Sequence, residues 1–219
     1  MEPLSGEAPD IASLRGSGLV GDRTHDVCDA GTGAALTFRD APLLLFYAAR
    51  LADELLREDV DAWTRVRTPE GTESPLDARG WLEEAGTLLG RRICLRGREP
   101  AEGPLRLISR STLRLAERTY GAPLEPVRVR ANLVVEITDG KAFDEDLWIG
   151  HRIGIGETLL EVTGWSTDAF VASYRPEVRS GDPGMLEELV RLREGRFGVA
   201  ARVLSGLRIR AGDPVALSD

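Results

Sequence analysis

Apolar positions along this chain fall mostly in short runs bounded by glycine, proline or charged clusters, the pattern of a protein built from short strands and tight turns. Such runs predict strands over 18–29 (with a glycine break at Gly21), 35–39, 63–66, 93–95, 105–108, 158–163, 169–173, 197–204, 207–209 and 215–217. The strand over 18–29 would set Arg23, His25 and Val27 on one face and Cys28 on the other, and would form a hairpin with 35–39 across the Asp29–Gly33 turn. Four stretches carry helical spacing instead. Proline opens 42–57, with Leu44, Ala48, Leu51 and Leu55 in a stripe. Asp77 is placed to cap a helix through Leu89 that Gly90 closes, and helices are expected over 111–120 and 185–193.

The stretch from Val127 to Trp148 stands apart. Arg128 and Arg130 sit at strand spacing, Leu133, Val134 and Val135 continue as an apolar strand, and Asp139-Gly140 breaks it. Asp144, Glu145 and Asp146 then form an acidic run before Trp148, and such a run reads as an exposed turn. Residues 1–17, rich in Gly, Pro, Ser and acids, read as a loose N-terminal arm. With no repeat or linker in view, 18–219 reads as a single domain, divided into an N-terminal β/α part over 18–104 and a core over 105–219. The expected class is mainly β with α (α+β), a β-barrel with helical insertions.

Composition narrows the function. The 219 residues carry a net charge of −8, which argues against nucleic-acid binding. No apolar run reaches membrane-spanning length, and no signal-peptide pattern opens the chain, so a cytoplasmic protein without a membrane partner is expected. Lys141 is the single lysine, so Schiff-base chemistry would have to use a residue whose turn position suits solvent better. Cys28 and Cys94 are far apart in sequence, make neither a zinc motif nor a CxxC pair, and read as small apolar residues within strands.

Several segments, in order, resemble the MOSC domain family, named for the C-terminal domain of molybdenum cofactor sulfurase and including amidoxime-reducing components. Gly18-Leu19-Val20-Gly21-Asp22-Arg23 is similar to a G-L-x-G-D-R strand, and Ala35 to Leu44 to a threonine–arginine–proline segment. Arg128-Val129-Arg130-Ala131-Asn132 resembles R-x-R-P-N, Phe143 to Trp148 resembles F-x-E-x-x-W, and Gly195–Gly198 with Gly206–Val215 resemble the C-terminal signature. The resemblance implies a β-barrel that holds a pterin-type molybdenum cofactor, with arginines on phosphate and pterin and a cysteine thiolate on the metal. Carried over by position, Arg23, Thr37, Arg39, Arg130 and Asn132 fall on the anion- and pterin-binding motifs. Arginine's planar fork of donors suits phosphate, and asparagine offers donor and acceptor together.

The sequence departs from the family at three places. The loop expected to bring the cysteine reads Gly164-Trp165-Ser166-Thr167-Asp168, with Trp165 or Ser166 at the ligand's place and no thiolate. The N-terminal P-V-K-S strand is reduced to Ser13-Leu14-Arg15-Gly16, with Ala12 in place of lysine, and Ala131 replaces the proline of R-x-R-P-N.

The leading reading is therefore a metal-free enzyme needing no cofactor. It would carry out acid–base chemistry (cyclisation, elimination or isomerisation) on an anionic or carbonyl-bearing small molecule, as in a biosynthetic pathway. In it His25 or Asp168 moves the proton, Arg23, Arg39 and Arg130 hold negative charge, Thr37, Asn132 and Ser166 add polar contacts, and Trp165 forms an apolar wall. The alternative is a molybdopterin-dependent oxidoreductase or sulfur-transfer protein with Cys28 or Cys94 as substitute ligand, and the third reading is a non-catalytic binding subunit.

Overall fold

The computed structural model describes residues 4, 8–15, 18–37, 40–51, 64–98, 104–121, 124, 129–166, 174–175, 180–181 and 193–218. The predicted strand over 169–173 and almost all of the predicted helix over 185–193 lie outside them, as do Arg39, Arg128 and Asp168.

The chain opens with β1 (Ile11–Arg15) and β2 (Gly18–Leu19), which pair antiparallel with Leu14 opposite Leu19. The expected loose arm is therefore a strand over its last third. Leu14 supplies the reason: it is buried in an apolar cluster, and its N–H donates to the Leu207 carbonyl at 2.8 Å. That strand is also where the sequence placed the remnant of the family's first motif.

Two compact units follow from the way the chain contacts itself, 1–12 with 20–101, and 13–19 with 102–219. In the first, β3 (His25–Asp29) is followed by β4 (Ala48–Leu51), β5 (Thr64–Arg67), β6 (Glu73–Pro75), helix α1 (Arg79–Leu89) and β7 (Ile93–Gly97). The expected helix over 42–57 is corrected over 42–51, where Pro42–Phe46 is a single 3-10 segment and β4 pairs antiparallel with β5; its remainder, 52–57, lies outside the described residues. Nearly every residue of 43–49 is apolar, so helical and strand spacing are indistinguishable there, and tertiary pairing decides. The expected hairpin is present in short form: Ala35 bridges Cys28 antiparallel, with the Leu36 N–H donating to the Val27 carbonyl at 2.8 Å and the Asp29 N–H to the Ala34 carbonyl at 2.9 Å, while the full ladder partner of β3 is β7.

Helix α1 buries Trp81 and Ala85 and ends at Gly90, whose φ of 66° is the left-handed cap conformation. Its N-cap is Ala78, without a side-chain bond, rather than Asp77. Trp81 donates from its indole N–H to the Leu76 carbonyl at 2.8 Å, and Tyr47 donates from its hydroxyl to Glu84 at 2.7 Å. Both polar tips are thus satisfied where the rings enter the core.

The second unit contains β8 (Leu105–Ser109), helix α2 (Arg110–Tyr120), β9 (Leu133–Val135), β10 (Arg152–Ile155) and β11 (Thr158–Trp165). The pairs β12 (Tyr174–Arg175) and β13 (Ser180–Gly181) come next, then β14 (Val199–Ser205), β15 (Arg208–Arg210) and β16 (Val215–Ser218). A six-stranded sheet in the order β16-β10-β11-β14-β8-β9 is its frame. All neighbours are antiparallel except β8 and β9, which run parallel because α2 crosses between them. The sheet is a curled half-barrel in a mainly β, α+β fold. Register shifts between Leu159 and Leu160 and between Val162 and Gly164 on β11 provide the bulges that curl it. No described helix is long and apolar enough to cross a membrane.

Candidate functional site

A row of partners crosses four strands of the half-barrel. Trp165 lies opposite Val199, Val199 opposite Leu107, and Leu107 opposite Leu133. The Arg130–Asn132 segment enters at one end of this row and the Trp165–Ser166 segment leaves at the other. Three strand spacings separate them, about 14 Å measured along the sheet.

At the first end Arg130 is not on a strand. Its φ of 55° is left-handed, and the strand begins only at Leu133, so the expected alternation of Arg128 and Arg130 along one strand is corrected. The chain turns at Arg130 and then runs parallel to β8. Asn132 fixes the entry. Its N–H donates to the Arg106 carbonyl at 2.8 Å, and its Oδ1 accepts from the Arg106 N–H at 2.9 Å. The asparagine thus acts as a surrogate peptide unit that starts the parallel ladder.

At the other end Ser166 is buried, with its N–H donating to the Gly198 carbonyl and its carbonyl accepting from Phe197, both at 2.9 Å. Gly198 is required there. Its φ is 80°, and a Cβ would come within 2.4 Å of the Leu107 carbonyl oxygen. Trp165 is 45% exposed, and the Arg196 guanidinium carbon sits 4.5 Å from its ring centroid. The indole is thus exposed with a guanidinium of its own chain over the ring, whereas Trp148 packs against the core.

Between these ends the acidic run closes over the start of α2. Glu145 is fully buried, which corrects its reading as part of an exposed turn. Its Oε2 accepts from the Thr112 hydroxyl at 2.9 Å, and its Oε1 from the Ser109 N–H at 3.3 Å. Ser109 caps the helix by accepting from the Thr112 N–H at 3.1 Å, and the Thr112 hydroxyl oxygen accepts from the Phe143 N–H at 2.7 Å. Asp146 pairs instead with Arg193, whose guanidinium carbon lies 4.4 Å from the Phe143 ring centroid. The F-x-E-x-x-W pattern, with Glu145 at its acidic position, is the signal that could have separated it from its two acidic neighbours; charge alone could not.

Arg23, His25 and Thr37 lie in the first unit. Arg23 is buried in a turn with φ of 53°, its Nε 3.5 Å from the Asp22 carboxylate. It therefore does not share the strand face on which His25 and Val27 alternate, because β3 starts only at His25. His25 is half-buried opposite Gly97, with Nδ1 3.1 Å from the Thr24 hydroxyl. Thr37 is exposed and donates from both N–H (2.9 Å) and hydroxyl (2.7 Å) to Asp40. Those two bonds, the hydroxyl's first, hold the Asp40 carboxyl below the usual carboxylate range. Lys141 is exposed, as its turn position suggested.

A curled half-barrel with a parallel βαβ insertion and these terminal motifs defines a MOSC-type β-rich domain. A sequence model of the MOSC domain matches residues 92–216, more than half of the chain, and the protein belongs to the MOSC domain family. The family is broadly one of molybdenum-cofactor-binding domains. Among solved structures, YiiM from Geobacillus stearothermophilus is similar at 17% identity over 52% of this chain and 54% of that one, with a TM-score of 0.42. The YUAD protein from Bacillus subtilis is similar at 21% identity over 55% of this chain and 66% of that one, with a TM-score of 0.43. A hypothetical protein shares 18% identity over 57% of each chain, with a TM-score of 0.41. The match spans less than two thirds of each of these three structures. No curated protein matches the chain.

The family's cofactor can be tested against the donors present. A molybdenum thiolate ligand would have to come from the end of β11 and the residues that follow it, where Trp165 and Ser166 stand. A serine hydroxyl is a hard donor, and this one is on a residue pinned at both backbone atoms. Both cysteines of the chain lie on β3 and β7 instead. Among the described residues no group of three or more His, Cys, Asp or Glu is placed to hold a metal. The residues do not fit thiolate ligation as the resemblance implies it.

Proposed function

We propose that this protein is a MOSC-fold enzyme that has kept a grip for a small anionic or carbonyl-bearing molecule and performs acid–base chemistry on it without a metal. The observation that carries the reading is the buried, backbone-pinned Ser166 beside exposed Trp165 where the family resemblance calls for a thiolate. Arg130 supplies the charge that holds the anion, on a turn that Asn132 anchors to β8. Trp165 offers a flat apolar face for a planar substrate. Asp168 is the proposed proton acceptor, because it stands two residues after Ser166 in the sequence. Such chemistry suits a cyclisation, elimination or isomerisation, in which a proton leaves a carbon next to a carbonyl whose developing charge a guanidinium stabilises.

The grip is testable before the substrate is known. Calorimetric titration with inorganic phosphate and short dicarboxylates should show saturable binding, weakened roughly tenfold in Arg130→Asn, a variant that tolerates the left-handed backbone. Absence of binding by the unaltered protein, or equal affinity in the folded variant, contradicts the proposal.

A further inference from the structure

The two cysteines, dispersed in sequence, are direct partners in the fold. In the β3–β7 ladder Cys28 lies opposite Cys94. The flanking bonds from Ala30 N–H to the Arg92 carbonyl (2.9 Å) and from Arg98 N–H to the Thr24 carbonyl (2.8 Å) fix the phase of the ladder. By the two-residue alternation of antiparallel strands, residues 28 and 94 form a hydrogen-bonded pair, whose Cα atoms are about 5.5 Å apart. That lies inside the range of about 4.4–6.8 Å spanned by disulfides. Opposite residues also project to one face, with Cβ atoms about 5 Å apart, slightly wider than the roughly 3.5–4.5 Å of a disulfide.

We propose that Cys28 and Cys94 form a redox-active dithiol that closes reversibly to an intramolecular disulfide, with hydrogen peroxide as oxidant. The environments of the two thiols assign the order of events. Cys94 is half-buried and reachable, whereas Cys28 is fully buried. Burial pushes the Cys28 thiol up, against the pull of the Arg96 guanidinium, so it is inert toward external oxidants. The Cys94 thiolate attacks one peroxide oxygen, the O–O bond breaks, and the departing hydroxide takes a proton to leave as water. Cys94 is then a sulfenic acid. The Cys28 sulfur attacks the Cys94 sulfur, the S–O bond breaks, a second water leaves with the Cys28 proton, and the S–S bond forms. Two thiols are oxidised and one peroxide is reduced.

Arg96 lies on the same face, donating to Asp26 and to the Gly33 carbonyl, both at 3.0 Å, and keeps a positive charge beside the pair. The strands must draw together by a fraction of an ångström, so the bond is held under strain and is easily reduced. That makes it a reversible link rather than a permanent staple. When closed it ties β3 to β7 and fixes the register of the ladder between them.

The test uses the full chain, reduced, exposed to one equivalent of hydrogen peroxide, alkylated after denaturation and mapped without reductant. The expected product is a monomer about 2 Da lighter, with the Cys28 and Cys94 peptides joined and both thiols restored by dithiothreitol. In Cys28→Ser, Cys94 should persist as a sulfenic acid that dimedone traps; in Cys94→Ser, Cys28 should stay reduced. Retention of both alkylatable thiols under oxidant, a cross-link only between chains, or oxidation of Cys28 at the original rate in Cys94→Ser overturns the proposal.

Discussion

Thr37 shows how a residue suited to binding an anion can already hold one from its own chain. Its hydroxyl and N–H both donate to Asp40, three residues on, and close a turn. Asp29 plays the part of Asp40 in the next turn back, accepting from the N–H groups of Thr32 and Gly31, whose bonds, Thr32's the larger, lower its pKa. A carboxyl with a lowered folded-state pKa contributes stability above its unfolded pKa and loses it as pH falls through the folded value. Both turns should therefore persist below the pH at which free aspartates protonate. In Thr37→Val the Asp40 titration, followed by carboxyl NMR, should move up toward the ordinary aspartate value while that of Asp29 stays in place. An unmoved Asp40 would show that the hydroxyl bond is not made in solution.

At the scale of elements, the start of α2 is the most completely satisfied polar cluster described. Ser109, Thr112 and Glu145 exchange bonds in a region without solvent, and the Phe143 N–H joins them. Glu145→Ala removes the acceptor for two buried donors and should lower unfolding free energy by about 2–4 kcal/mol. Glu145→Gln keeps one carbonyl oxygen and should cost less. Urea denaturation of both variants checks the ordering, and equal stability of Glu145→Ala and the unaltered protein would contradict it.

Strand-and-turn chemistry made much at this scale legible. The Gly90 cap, α2 over 110–120 and the C-terminal strands follow from local pattern. The 42–57 segment did not, since an almost continuous apolar run has no phase of its own and its partner β5 supplies one. Nor did the β3–β7 pairing, which joins residues more than sixty positions apart in sequence and shows no local signal.

For the whole molecule, family membership came from the order of individually weak motifs, and the domain match over 92–216 bears it out. The site was legible only in part. Residue types named Arg130 and Asn132, but the turn at Arg130, the backbone clamp made by Asn132 and the burial of Glu145 depend on neighbours distant in sequence. The central claim is that this MOSC-family chain lacks the metal thiolate that the family resemblance implies. Its most direct test is elemental analysis, with pterin fluorescence after oxidation, of protein purified from cells that make molybdenum cofactor. The account predicts far less than one molybdenum and one pterin per chain; stoichiometric molybdenum with pterin would contradict it.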